Sequence, residues 1–99
     1  MTLRIALRPR ALEDLSDIWD FTASAWSTDQ ADAYLRAMDK TFKTLAEFPE
    51  LARLRTEFEP AVRVYTFRKH VIIYVASQTE LDVIRVVHGR ADWAIFLVE

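Results

Sequence analysis

The residues best suited to chemistry crowd into one stretch of the 99-residue sequence, RVVHGRADW at positions 85–93. It sets Arg85, His88, Arg90 and Trp93 around Gly89, the sole glycine of the chain. A histidine passes protons near neutral pH, and arginines hold a phosphate and its developing charge. His88 with Arg85 and Arg63 would therefore provide a minimal set for cleaving a phosphodiester. Without catalysis, Arg85, His88, Arg90 and Trp93 would instead make a structural or target-contact surface. The plainer fates are a hydrogen-bonded histidine at a strand end and arginines that are solvated or salt-bridged.

Other chemistries are excluded by what the sequence omits. With no cysteine there is no disulfide, thiolate zinc site or cysteine nucleophile. There is no P-loop, Gly-rich dinucleotide turn, HExxH or GxSxG motif, and a single glycine provides no loop for cradling a phosphate in those ways. The two histidines, His70 and His88, have no carboxylate at metal-ligand spacing, so neither a metal nor a cofactor is expected. A net charge of −2 argues against a protein that depends on phosphate-backbone attraction, and sequence-specific nucleic-acid binding is not expected. Charge is uneven, however. Acids fill the first half, whereas Arg53, Arg55, Arg63, Arg68 and Lys69 cluster later. The opening MTLRIALRPR has no apolar run after its charges, and no segment is apolar enough to span a bilayer. A cytoplasmic location, with no membrane partner, is expected.

The length suits one domain over 1–99. Residues 3–7, LRIAL, alternate as a short strand. From Pro9 the period becomes helical, with Leu12, Leu15, Ile18, Trp19, Thr22 and Trp26 on one side and early acids favouring the positive end of the helix dipole. Ser27 and Gln30 form a capping box that restarts the helix, and Ala31, Tyr34, Leu35, Met38, Phe42 and Leu45 give its apolar face. Asp32/Arg36 and Asp39/Lys43 are i,i+4 pairs on the wet side, and Pro49 ends the helix. So short a link predicts an antiparallel hairpin. The aromatic stripe Trp19, Phe21, Trp26, Tyr34 and Phe42 reads first as core and second as the lining of a partner groove. Residues 50–60 read as a loop with room for one helical turn. AVRVYTF (61–67), HVIIYVAS (70–77) and LDVIRVVH (81–88) are too closely linked for crossovers, so they form a three-stranded antiparallel meander. The result is a two-layer α+β domain. Regular alternation puts Ile84, Val86 and His88 on one face of the last strand and Val83, Arg85 and Val87 on the other, which separates Arg85 from His88.

Four segments in order, LRPRALEDLSDIWDF, AEFPEL, VRVYTFRKHVIIY and above all VIRVVHGRADW, resemble the ParE toxins of bacterial ParDE toxin–antitoxin modules, in the RelE/ParE superfamily. The resemblance spans almost the whole chain. Arg8 before Pro9, where Ser or Thr is frequent, and Ala52 after PEL, where glycine is frequent, are departures that concern capping and turn geometry.

The resemblance implies a RelE/ParE-like fold and a cytoplasmic toxin neutralised by a ParD-like antitoxin, with DNA gyrase as target and replication blocked. RelE-like relatives cleave mRNA on the ribosome, but this chain lacks their lysine-rich strand and loop, and no tyrosine follows HGRADW. Gyrase inhibition by binding is therefore expected ahead of ribonuclease activity by His88, Arg85 and Arg63. A non-toxic member that only binds its antitoxin is a further alternative. An amphipathic antitoxin segment would lie beside the helical hairpin on Trp19, Tyr34, Leu35, Phe42, Arg53, Arg55 and Arg63. Gly89 is expected to turn the chain sharply and release a tail. There Trp93, Phe96 and Leu97 dock on the core or on a partner, as a short helix or an extended edge.

Overall fold

The computed structural model describes residues 2–97, with Phe96 described by its backbone alone. Arg4–Leu7 form β1, Pro9–Ala25 form α1 and Thr28–Glu47 form α2; Leu54–Arg55, Val62–Phe67, His70–Ala76 and Glu80–His88 form β2 to β5. The sheet order is β1-β5-β4-β3-β2. Only β1 runs parallel to its neighbour, with Arg4 to Leu7 set against Glu80 to Val83 of β5. The helical hairpin and the three-stranded meander are as the sequence predicts. Segment 50–60 departs from its reading as a loop: after a 3-10 turn at Pro49–Leu51 it adds β2 along β3. Two residues are too few for a period to register.

Local chemistry explains the helix ends. Pro9 starts α1 with no side-chain cap, and its first turn holds no acid, so the early acids begin one turn too late to meet the dipole there. Ser27 Oγ accepts from the Gln30 N–H at 3.0 Å, half of the expected capping box. Asp39 and Lys43 pair at 3.0 Å. Asp32 instead accepts from Trp19 Nε1 at 2.9 Å and so joins α2 to α1.

One core lies between helices and sheet, where Ala11, Ile18, Met38, Phe42 and Leu45 meet Ile72, Tyr74, Leu81, Val83 and Val86. Leu12, Phe21 and Trp26 fall outside it, because Ala11 and Ile18 rather than Leu12 and Trp26 face the sheet. On the opposite face Val62, Val71, Ile73 and Val87 are covered by Phe58 and by Trp93 and Leu97 of a 3-10 helix at Trp93–Leu97. The tail is therefore a short helix on the core. The docking expected of Phe96 concerns a side chain outside the described residues.

The N-terminal segment is clipped to β5 by a row of ion pairs. Arg4 meets Glu80, Arg8 meets Asp82 at 2.8 Å, and Asp14 of α1 meets Arg85 at 2.8 and 2.9 Å. Asp14 also accepts the Val86 backbone N–H at 2.9 Å, where β1 has ended and the strand edge would otherwise be bare. Its side chain and that of Arg85 are each only 11% exposed. Removing one member of such a pair strands the other away from water. Asp14→Ala should lower the unfolding free energy in urea by about 3–5 kcal/mol, with Asp14→Asn between it and the parent. A loss under ~1 kcal/mol would reduce this pair to an ordinary surface contact.

Candidate functional site

The end of the sheet beside the helical hairpin brings together Tyr34, Arg68, Lys69, His70, His88 and Arg90. It is built by a register shift. From Ala76↔Leu81 to Tyr74↔Val83 the β4–β5 ladder is regular, then Ile84 is bypassed and Ile73 pairs with Arg85. Continued without that bulge, the ladder would set His70 against Val87; with it, His70 pairs with His88. The bulge also overrides the alternation expected of β5. Arg85 reaches Asp14 on α1, and His88 faces Ile18, Phe21 and Thr22 of the same helix. Val83 and Val86 thus share the helix-side core while Ile84 and Val87 lie in the outer one, but the pairing from Arg85 to His88 is regular, so these two keep to opposite faces as expected even though Arg85 reaches α1.

The His70 and His88 rings meet edge to face, with centroids 5.5 Å apart. Tyr34 of α2 places its hydroxyl 2.7 Å from His70 Nδ1. Burial is the main influence on both groups. It pushes the Tyr34 hydroxyl above 10.0, against the opposing pull of the Lys69 backbone and Arg68. It holds His70 below 6.5, helped by the nearby His88 and opposed by Asp14. A protonated phenol and a neutral His70 thus share one hydrogen bond, its direction set by the imidazole tautomer. His88 Nδ1 accepts the Arg90 backbone N–H at 3.1 Å, which leaves Nε2 as the ring's donor. With Nδ1 of each ring already engaged, neither is left free at that atom to draw off a proton.

The cations come from two turns. Arg68 and Lys69 link β3 to β4, and Arg68 stands at φ 52 with its guanidinium over the Phe67 and Tyr34 rings at 5.0 and 5.6 Å. Gly89 has an ordinary φ, so its value is closeness: its N–H donates to Lys69 O at 2.8 Å, and a Cβ there would stand 3.3 Å from that oxygen. A turn closed by Ala91 N–H on His88 O brings Arg90 round. Arg68, Lys69, His88, Gly89 and Arg90 line a cleft of ≈ 380 Å³.

The residues singled out from sequence are divided among several places. His88 and Arg90 share the cleft; Arg85 is gripped by Asp14; Trp93 lies on the outer face, 5.4 Å from Phe58 and 5.5 Å from Arg55. Arg63 donates to Ala52 O at 2.6 Å, four residues along β3 from Phe67, or about 13 Å. His88, Arg85 and Arg63 therefore do not converge on one reacting atom. Of the helical candidates, Phe42 is 3% exposed and meets the core, Trp19 is tied to Asp32, and Tyr34 and Leu35 are half-buried. Arg53 is exposed, and Arg55 pairs loosely with Glu57 at 3.7 Å. Sequence reasoning missed the Tyr34–His70 contact and the place of Arg68 and Lys69 beside His88. A two-residue hairpin link with no Gly or Asn was the available signal.

Residues 5–93 match the family model described as the ParE toxin of the type II toxin–antitoxin system, parDE. The chain is similar to Toxin ParE1 of Mycobacterium tuberculosis strain H37Rv, 36% identical over 93 residues, which covers 93% of this chain and 95% of that protein. It is also similar to Toxin ParE1 of Caulobacter vibrioides, 30% identical over 82 residues, covering 83% and 84% of the two. A solved chain described as a chromosomal ParDE TA system from P. aeruginosa superposes with a TM-score of 0.75 at 17% identity, covering 88% of this chain and 96% of that one, a likeness of fold.

The neutral state of His70 has a consequence for stability. Folding holds its proton affinity down, so as pH falls below 6.5 the unfolded chain binds the proton first and gains stability relative to the fold. The urea midpoint should therefore be lower at pH 5.5 than at pH 7.5, with a smaller decline in His70→Asn. An equal decline in both proteins would remove His70 as the cause.

Proposed function

The chain belongs to the ParE toxin family of type II toxin–antitoxin systems, and from that membership we propose that a ParD-like antitoxin neutralises it and that its target is DNA gyrase. The observation that carries the reading is the match over residues 5–93 together with relatives that align over nearly their full length. In this reading residues 1–99 are one toxin domain that works in the cytoplasm and blocks replication by binding. Two features favour binding over catalysis: His88, Arg85 and Arg63 lie apart, and each histidine's Nδ1 is already hydrogen-bonded.

The antitoxin would lie between α2 and the β2–β3 edge. Arg63, Tyr65 and Phe67 share the helix-facing side of β3 because they pair with Tyr74, Ile72 and His70. Arg63 and Tyr65 remain half exposed there, so the two helices do not cover this margin of the sheet. Tyr34 and Leu35 border it from α2, Phe42 supports it from beneath, and Arg53, Arg55 and Arg63 suit acidic groups at its end. Trp19 contributes by fixing α1 to α2 through Asp32.

Two measurements test the reading. Tyr34→Ala and Arg63→Ala should each weaken antitoxin binding by about 1–2 kcal/mol in calorimetry, and unchanged affinity in folded variants would place the antitoxin elsewhere. In a purified gyrase reaction the toxin should abolish supercoiling or accumulate cleaved DNA while ribosome-bound mRNA stays intact. Cut mRNA with unaffected gyrase would establish the RelE-like alternative, and growth unaffected by expression would point to a non-toxic member.

A further inference from the structure

We propose that the cleft between the β3–β4 hairpin and the end of β5 binds single-stranded nucleic acid, with phosphates on Arg68, Lys69 and Arg90 and bases against Phe21 and Trp26. No bond is made or broken, and the proposal stands whether or not gyrase is the target.

Charge is the first support. Arg4, Arg8, Lys43, Arg55 and Arg85 are all paired with carboxylates. Arg68, Lys69 and Arg90 converge on one cleft with His88, no carboxylate lines it, and among the described residues none of the three cations has an ion pair. Of the acids on α1, Asp14 is taken by Arg85 and Val86 and Asp17 borders the side toward Ile18, while Asp92, two residues after Arg90, does not line the cleft. In a chain of net charge −2, three cations without a carboxylate partner thus meet at one cleft.

Backbone conformation is the second. Arg68 is the only described residue other than glycine with positive φ, at 52. Asn or Gly would sit there with less strain, so an arginine at the hairpin apex marks a position where a cation is worth a backbone penalty. The Phe67 and Tyr34 rings beneath its guanidinium hold it at the mouth of the cleft.

The aromatic residues decide between strands. Phe21 and Trp26 are 72% and 70% exposed and line a second hollow of ≈ 450 Å³ that shares Arg68, Lys69 and His88 with the first. Ring faces beside a row of cations are what unstacked bases and their phosphates require, whereas a duplex keeps its bases stacked on one another. Gly89, lacking a Cβ, lets the β3–β4 hairpin and the end of β5 close up, and His88 adds an N–H donor between the cations.

Fluorescence anisotropy with the full chain at low salt tests this, using a labelled ten-nucleotide single strand, the matching duplex, a mononucleotide and a polyglutamate peptide. The single strand should bind most tightly. Arg68→Asn, which tolerates the positive φ, and Arg90→Gln should each weaken it and reduce the slope of log K against log salt by about one. Trp26→Ala should weaken it by about fivefold or more, while Lys40→Gln on the wet side of α2 leaves it unchanged. The proposal is overturned by the absence of binding, by equal affinity for duplex, mononucleotide or polyglutamate, or by indifference to the three cleft variants with their folds intact in circular dichroism.

Discussion

The structure turns on how the free edge of β5 is closed. β1 covers that edge only as far as Val83, and beyond it the Val86 N–H would face outward without a strand to receive it. Asp14 occupies the place of the missing strand. Its carboxylate accepts that N–H and the Arg85 guanidinium together, so one side chain completes the sheet edge, neutralises a nearly buried cation and fixes α1 against β5. Every other feature of the helical layer follows from that placement. α1 then offers Ala11 and Ile18 to the sheet, α2 packs beside it through Trp19 and Asp32, and the β2–β3 margin stays uncovered.

The bulge at Ile84 is the companion feature. It brings His88 opposite His70 and onto the helix side of the sheet with Val86, while Arg85, on the other face, still reaches Asp14 of α1. Arg85 becomes part of the framework, and His88 becomes part of a surface. β-bulges commonly re-aim side chains in this way, at the cost of one local break in the ladder.

Around that surface the chain spends its charges unequally. Cations along the N-terminal seam are matched to carboxylates in the register of the strands, whereas those of the two turns beside His88 line a cleft without a carboxylate. The proposed action by association rather than bond cleavage calls for such a division, with a rigid body, a margin for the proposed antitoxin and a separate face for the proposed target. The Tyr34 hydroxyl is hydrogen-bonded to His70 beside the cation cleft, and the rest of α2 borders the uncovered β2–β3 margin.

Much of this was legible in the sequence. The 3.6-residue period gave both helices, Ser27 gave the cap of the second, short links gave the antiparallel meander, and RVVHGRADW with three other segments pointed to the family. These are local properties, fixed by which side chains recur at which spacing. The burial side of α1 was misjudged because Ala11 hardly registers in an apolar pattern, although its small size is what lets the helix approach the sheet closely. β2 was missed because two residues have no period, and the pairing of His70 with His88 because a one-residue bulge has no compositional mark. That Arg85 serves the framework and that Arg68, Lys69, His88 and Arg90 meet at one cleft was decided by tertiary structure alone. Hydrogen-bond completion at a strand edge and register across a hairpin involve partners up to 72 residues apart in the chain, and no periodicity along it encodes their distance in space.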